Sequence, residues 1–121
     1  RGWTLEHTTV NRFQIEIAVD SSSTGVRASA STYALGQWYH VVGVYNAFAG
    51  TLDIYVNGVR DNGDQTNCNP CPSSQYNSTG APSIGRQPAD NGYLDGLIDE
   101  VRVYNRALTA DEIRRLYSMG R

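Results

Sequence analysis

The chain contains no lysine, and all ten of its basic residues are arginine. Arginine makes planar, bidentate contacts that lysine does not, but a compositional bias of the source genome explains the pattern as simply, so it supports no functional claim. An excess of either charge is also missing. With 10 basic and 12 acidic residues, a net charge of -2 and a pI near 5.5, the chain lacks the positive field that nucleic acid or an anionic membrane would require. No apolar run approaches the roughly 20 residues that cross a bilayer as a helix. No charged start followed by an apolar stretch reads as a signal peptide, although a mature secreted chain that has lost its leader reads the same way. No glycine-rich phosphate loop opens a helix, and no serine or cysteine nucleophile sits with a convincing histidine and acid. What remains is 121 residues, 40% apolar and 10% aromatic. That is enough for one domain with a modest core and too apolar for disorder.

Cysteine is scarce. The two present lie in Asn67-Cys68-Asn69-Pro70-Cys71-Pro72, within a run of turn-forming residues from about Arg60 to Pro82. A Cys-x-x-Cys pair has three readings. A thioredoxin-type redox pair needs the start of a helix in a βαβ unit, and no such pattern surrounds it. A zinc site needs two more ligands, for which only His7 and His40 are available. A local Cys68–Cys71 disulfide ranks ahead of both. Closing so short a loop adds little stability, because the entropy removed from the unfolded chain grows with loop length. Its persistence implies an oxidising compartment.

Strands dominate the rest. Trp3 to His7 reads as one. Phe13, Ile15, Ile17 and Val19 alternate with more polar residues, the period-two signature of a strand with one wet face. A polar turn over Asp20 to Gly25 leads to Val26, Ala28 and Ala30, which alternate again and predict a hairpin. Trp38 to Tyr45 is apolar on both faces and reads as a central strand. Leu52, Ile54 and Val56 alternate into Asn57-Gly58, which supplies the positive backbone angles of a tight hairpin turn. Arg60 to Pro82 reads as one long loop, and Ile98 to Tyr104 as a closing strand. Asn105-Arg106 turns the chain into a short helix. Its N-cap is Thr109, Glu112 completes a capping box, Leu108 and Ile113 form a hydrophobic staple, and the helix ends near Ser118 with Gly120 as its stop. The expected fold is all-β, an antiparallel jelly-roll sandwich of roughly six to eight strands with one short C-terminal helix.

The segment Gly92-Tyr93-Leu94-Asp95-Gly96-Leu97-Ile98-Asp99-Glu100-Val101-Arg102-Val103-Tyr104-Asn105-Arg106-Ala107-Leu108 resembles the closing segment of laminin-G-like, concanavalin A-like jelly-roll domains. Trp38-Tyr39-His40-Val41 and Tyr55-Val56-Asn57-Gly58 match that family in the same order, and Ser83-Ile84-Gly85-Arg86 matches its short Ile-Gly strand. The resemblance implies a structural role for His40. It also implies strands ahead of Trp3 that have no counterpart here, so the chain is expected to be a single laminin-G-like domain, N-terminally incomplete. A sandwich without its opening strands exposes unpaired strand edges, and a homo-oligomer, most simply a two-fold dimer, is expected from them.

Glycoside hydrolases share the sandwich, so a pair of acids on one strand face would point to catalysis. Retaining enzymes hold two carboxyl groups about 5 to 5.5 Å apart, and relatives set them on alternating strand positions. Here Asp99 and Glu100 are adjacent and point to opposite faces, with Val101 in the alternating position, while Glu16 and Asp20 straddle a strand end. No catalytic residue is assigned, and the protein is expected not to be an enzyme. Asp99 matches the position some relatives use for a structural calcium ion, which needs roughly six to eight oxygens. An equally good reading has Asp99 bonding a neighbouring amide or Arg102. Carbohydrate sites combine an aromatic face with amide and carboxylate groups. Asp90, Asn91 and Tyr93, with Tyr76 and Trp3, are the candidates, while Tyr33 and Asn77 share the chemistry. The plainer alternative tucks Tyr93 into the core. Asn77-Ser78-Thr79 is a glycosylation sequon, meaningful in a eukaryotic secretory setting. The expected function is a non-catalytic extracellular or cell-surface module for carbohydrate recognition or adhesion. Its partner would be a glycan or a cell-surface protein, with neither nucleic-acid binding nor membrane insertion. The alternatives are a protein-interaction or structural module, or a degenerate hydrolase-like domain.

Overall fold

Alternation of apolar and polar residues becomes antiparallel pairing in the computed structural model, which describes residues 2–77, 79–87 and 92–120. The strands are β1 (Trp3–His7), β2 (Phe13–Ala18), β3 (Thr24–Ser29), β4 (Val41–Asn46), β5 (Thr51–Val56), β6 (Val59–Arg60), β7 (Asn62–Thr66), β8 (Arg86–Gln87) and β9 (Gly92–Tyr93), followed by helix α1 (Ala110–Met119). One sheet has the order β1-β2-β3-β7, a second β4-β5-β6, and β8 pairs with β9 alone. In the first sheet Trp3 lies opposite Ile17, Leu5 opposite Ile15, and Ile15 opposite Arg27. In the second, pairing runs from Val41 with Val56 to Asn46 with Thr51. Asn57 and Gly58 take φ values of 52° and 80°, the left-handed pair that a tight hairpin between β5 and β6 demands.

The sheets pack face to face. Ile15 and Ile17 from the first meet Leu52 and Ile54 from the second, with Cys68 and Cys71 sealing one end. The cysteines form the disulfide expected from sequence, and Cys71 N–H donates to Gly50 O at 2.8 Å, which ties the loop to the turn between β4 and β5. Gly25 is required beside it, since a side chain there would place its Cβ 2.6 Å from the Cβ of Cys68. Arg27 and Ser29 find partners for their polar groups. Arg27 donates from Nε to Leu52 O at 2.8 Å, from Nη1 to Gly63 O at 2.9 Å, and from Nη2 to Gln65. Ser29, fully buried, accepts from Phe13 N–H at 3.2 Å and donates to Ser31 O at 2.8 Å.

Helix α1 covers the outer face of the second sheet. Ile113 is buried against Val44 and Tyr55, with Val42, Ala107 and Leu108 packed around them. The capping box forms as its sequence requires: Glu112 N–H donates to Thr109 Oγ1 at 3.3 Å and Thr109 N–H to Glu112 Oε2 at 2.8 Å. Arg106 adds a two-pronged contact to the Glu112 carboxylate, both prongs at 2.9 Å. Gly120 follows the last turn with φ of -81°, so the helix stops without a left-handed residue.

Four expectations change. Residues 98–104 are not a strand, because no neighbouring strand pairs with them among the described residues; β-forming side chains need a partner ladder, and without one the propensity is unrealised. The strand expected from Trp38 starts at Val41, and it lies at an edge of its sheet rather than in the centre. The supposed long loop contains β7, whose residues are too polar to announce a strand but pair with β3. The short strand near Ile84 begins at Arg86, where the partner residues Gly92 and Tyr93 fix its register.

Candidate recognition surface

The residues selected from sequence fall in different places. Trp3 starts the edge strand β1, and its backbone neighbours bring Tyr76 to the same end of the sheet. Ala18 N–H donates to Gly2 O, and Tyr76 N–H donates to Ala18 O, both at 2.8 Å. The chain around residue 76 thus lies along the same rim as the start of β1. Trp3 is 49% exposed and Tyr76 48%. Trp3 shares a face with buried Ile17 yet stays open because β1 is the outermost strand, while the second sheet packs over β2 and β3. Polar chemistry accompanies the rings: Gln75 Nε2 is 3.7 Å from the point where a Cβ on Gly2 would stand, and Asn77 is exposed next to Tyr76. Half-exposed aromatic residues with side-chain amides near them in the chain have the chemistry a pyranose takes, whose apolar face stacks and whose hydroxyls accept and donate.

Tyr93 lies in β9, opposite Arg86, and is 70% exposed. It is therefore not a core residue, and the plainer alternative is corrected. It fails because β8 and β9 form a separate two-stranded ribbon, away from the sandwich interior. Asp90 and Asn91 lie outside the described residues. Tyr33 has a structural occupation. Its hydroxyl donates to Asp61 Oδ2 at 2.6 Å, and its ring lies 5.1 Å from Tyr39 and 5.2 Å from Phe13, with His7 on the far side of Phe13 at 5.1 Å. Burial, and then the Asp61 carboxylate, push the Tyr33 hydroxyl pKa upward. This edge-to-face cluster anchors the connection between β3 and β4 on β2. Sequence alone gave no sign of it, since its members are scattered over residues 7–39.

Asp99 is exposed and its carboxylate accepts from the adjacent Glu100 N–H at 2.8 Å. Among the described residues, no group of three or more His, Cys, Asp or Glu side chains is placed to hold a metal ion. Calcium would need roughly six to eight oxygens converging on one point, and Asp99 supplies one carboxylate, already bonded to the Glu100 amide. Asp20 and Glu112 have lowered pKa values, Asp20 through the Ser22 amide and Glu112 through Arg106 and then the Thr109 amide. A general acid requires the opposite shift. A surface groove of about 430 Å³ is lined by Tyr55, Gly58, Val59, Arg60, Ala110 and Arg114.

His40 behaves as a structural residue. Its backbone N–H donates to Asn57 Oδ1 at 3.0 Å, its ring lies 5.9 Å from that of Tyr117, and its Nδ1 is buried without a hydrogen-bond partner. Burial, and then the Arg102 charge, lower its pKa, so the neutral ring is favoured. No helix among the described residues is long and apolar enough to cross a membrane.

Residues 1–114 match the family model described as the concanavalin A-like lectin/glucanases superfamily, of laminin G type. The fold is also similar to the 2.1 Å crystal structure of an S-layer domain-containing protein, residues 221-444, from Clostridium thermocellum. The likeness has a TM-score of 0.53 and 25% identity, and covers 96% of this chain and 63% of that one. The chain therefore spans less than two thirds of the length of that structure. No curated protein matches it.

Proposed function

The chain belongs to the concanavalin A-like lectin/glucanase superfamily, and from that premise we propose that it is a non-catalytic extracellular recognition module that binds carbohydrate at the rim formed by Trp3 and Tyr76. The observation carrying this reading is the run of backbone hydrogen bonds from Gly2 through Ala18 to Tyr76, which sets two half-exposed aromatic residues and the Gln75 amide on one rim. The likeness to an S-layer domain-containing protein supports a cell-surface setting. Tyr93, exposed in β9, offers a second aromatic surface. The test is a glycan array followed by titration of the best hit. Open, shallow sites of this kind bind weakly. Removing a stacked ring costs about 0.5–1.5 kcal/mol beyond its area, so Trp3→Ala or Tyr76→Ala should weaken binding up to roughly tenfold with the melt little changed. A silent array, or Trp3→Ala binding like the wild type, would defeat this reading. A panel of chromogenic glycosides should show no turnover; hydrolysis would revive the degenerate-hydrolase alternative.

The second reading, a protein-interaction or structural module, is favoured by a different observation: an unpaired apolar segment just before the helix.

A further inference from the structure

The segment that carries Tyr76 to its rim leaves the core at the Cys68–Cys71 bridge. Both cysteines are buried in the cluster formed with Ile15, Ile17, Leu52 and Ile54. Beyond them Ser73 and Ser74 are exposed. The chain returns to the sandwich through the Tyr45 hydroxyl, which donates to Pro72 O at 2.5 Å, and through the Tyr76 N–H, which donates to Ala18 O at 2.8 Å. The bridge has little room around it. A Cβ on Gly25 would stand 2.6 Å from Cys68 Cβ and 2.8 Å from its Sγ, and a Cβ on Gly50 would stand 3.0 Å from Pro70 Cβ. Both of those walls are backbone, one from β3 and one from the turn between β4 and β5, so they cannot swing aside as the tip of a side chain does.

We propose that the Cys68–Cys71 bridge is a redox-sensitive mooring for the recognition rim: oxidised, it holds the 72–77 segment on the sandwich, and reduced, it releases Tyr76 from Ala18 while both sheets stay folded. Two thiols need more room than the bond that joins them, because sulfurs that no longer share electrons stop at van der Waals contact. Overfilling a closely packed site shifts backbone, and the backbone free to shift is the turn outside the ladders, not β3 or β5. The sheets persist because a bridge closing so short a loop adds little to global stability. The chemistry is exchange with a dithiol. One sulfur of the dithiol attacks a bridge sulfur and breaks the Cys68–Cys71 bond, and its second sulfur displaces the mixed disulfide. The dithiol leaves as a disulfide, and its two electrons and two protons remain on Cys68 and Cys71 as thiols. Attack reaches the bridge past Asn69 and Pro70, which are exposed on the turn between the cysteines. The mooring deepens the carbohydrate reading and rests on it for its effect on binding.

The test compares three forms: the oxidised chain, the chain refolded and held in a dithiol with two free thiols confirmed by alkylation and mass, and the double variant Cys68→Ala, Cys71→Ala, whose smaller side chains fit without the bond. Amide hydrogen exchange, followed residue by residue, is the readout. In the reduced chain the Tyr76 amide is expected to exchange at least about tenfold faster than in the oxidised chain, while amides of β2, β4 and β5 stay within about threefold. The alanine pair should remain slow at Tyr76 and ignore the dithiol. An unchanged Tyr76 rate on reduction, an alanine pair as fast there as the reduced chain, or a reduced chain that loses protection throughout both sheets would each overturn the proposal. A glycan array probed with the same three forms should light up with the oxidised and alanine forms and fade with the reduced one. Equal signal from all three, with Tyr76 released, would overturn the proposal as well. Silence from all three would defeat the carbohydrate reading, whereas the exchange rates alone decide the mooring.

Discussion

Helix α1 and the segment just before it, residues 97–104, are neighbours in sequence and comparable in apolar content, yet one is docked and the other bare. Ile113 has no exposed surface, whereas Val103 is 70% exposed. The helix satisfies its backbone within itself and needs only one face covered. Its cap, staple and ion pair are all drawn from residues 106–113. An extended segment satisfies nothing alone, since its donors and acceptors point sideways to a neighbour. Apolar residues next to each other in the chain thus face different requirements, and the requirement decides which of them the sandwich buries.

The strongest way to break that comparison is Ile113→Ala. Truncating a buried isoleucine costs about 2–5 kcal/mol, and chemical denaturation should show a loss in that range; a melt equal to wild type would mean the helix is not anchored. Thr109→Ala should cost about 1 kcal/mol through the lost cap, read in the same way. The cap also carries a pH signature. Glu112 ordinarily titrates near 4.5, but Arg106 and the Thr109 amide hold it at about 2 in the folded chain. A carboxyl with a lowered folded pKa stabilises above its unfolded pKa, and that contribution is lost as pH falls toward the folded one. The melting difference between wild type and Glu112→Gln should therefore be present near pH 6 and shrink from about pH 4.5 down to about pH 2. On the bare side, Val103→Ser should change monomer stability by less than about 0.5 kcal/mol, as surface substitutions usually do. The smallest effect is expected from EDTA, which should leave the melt of wild type and Asp99→Asn alike; a lower wild-type melting temperature would reveal a calcium site that the Asp99 surroundings do not suggest.

The parts legible in sequence were those whose causes are local. Thr109, Glu112, Leu108 and Ile113 stand at fixed offsets, Asn57-Gly58 is a turn by its own backbone preferences, and Phe13 to Val19 alternates regardless of what covers it. Cys68 and Cys71 are close enough in the chain to settle their own pairing. What could not be read depends on distant partners. Asn62 to Thr66 has no apolar alternation and forms β7 because β3 is there to receive it, with Gln65 taken up by Arg27. The status of β4 as an edge, and of residues 97–104 as unpaired, is a property of neighbours and not of side chains. The surface divides in the same way. Trp3 and Tyr76 were identified by type, but Ala18, the residue that brings them to one rim, has no recognisable chemistry, and Gln75 drew no notice. Sequence left Tyr93 open between a binding surface and the core, because its exposure depends on β8 and β9 standing as a ribbon of their own.

The three hydrogen bonds of Arg27 bear on mechanics. Apolar contacts between two sheets resist separation but have no preferred direction, so on their own they let one layer glide over the other. A hydrogen bond is directional and weakens steeply below about 120°. Arg27 grips Leu52 in one layer and Gly63 and Gln65 in the other, and it acts as a rivet against shear. A domain tugged from opposite layers would yield there, at one guanidinium, before its oily interior came apart.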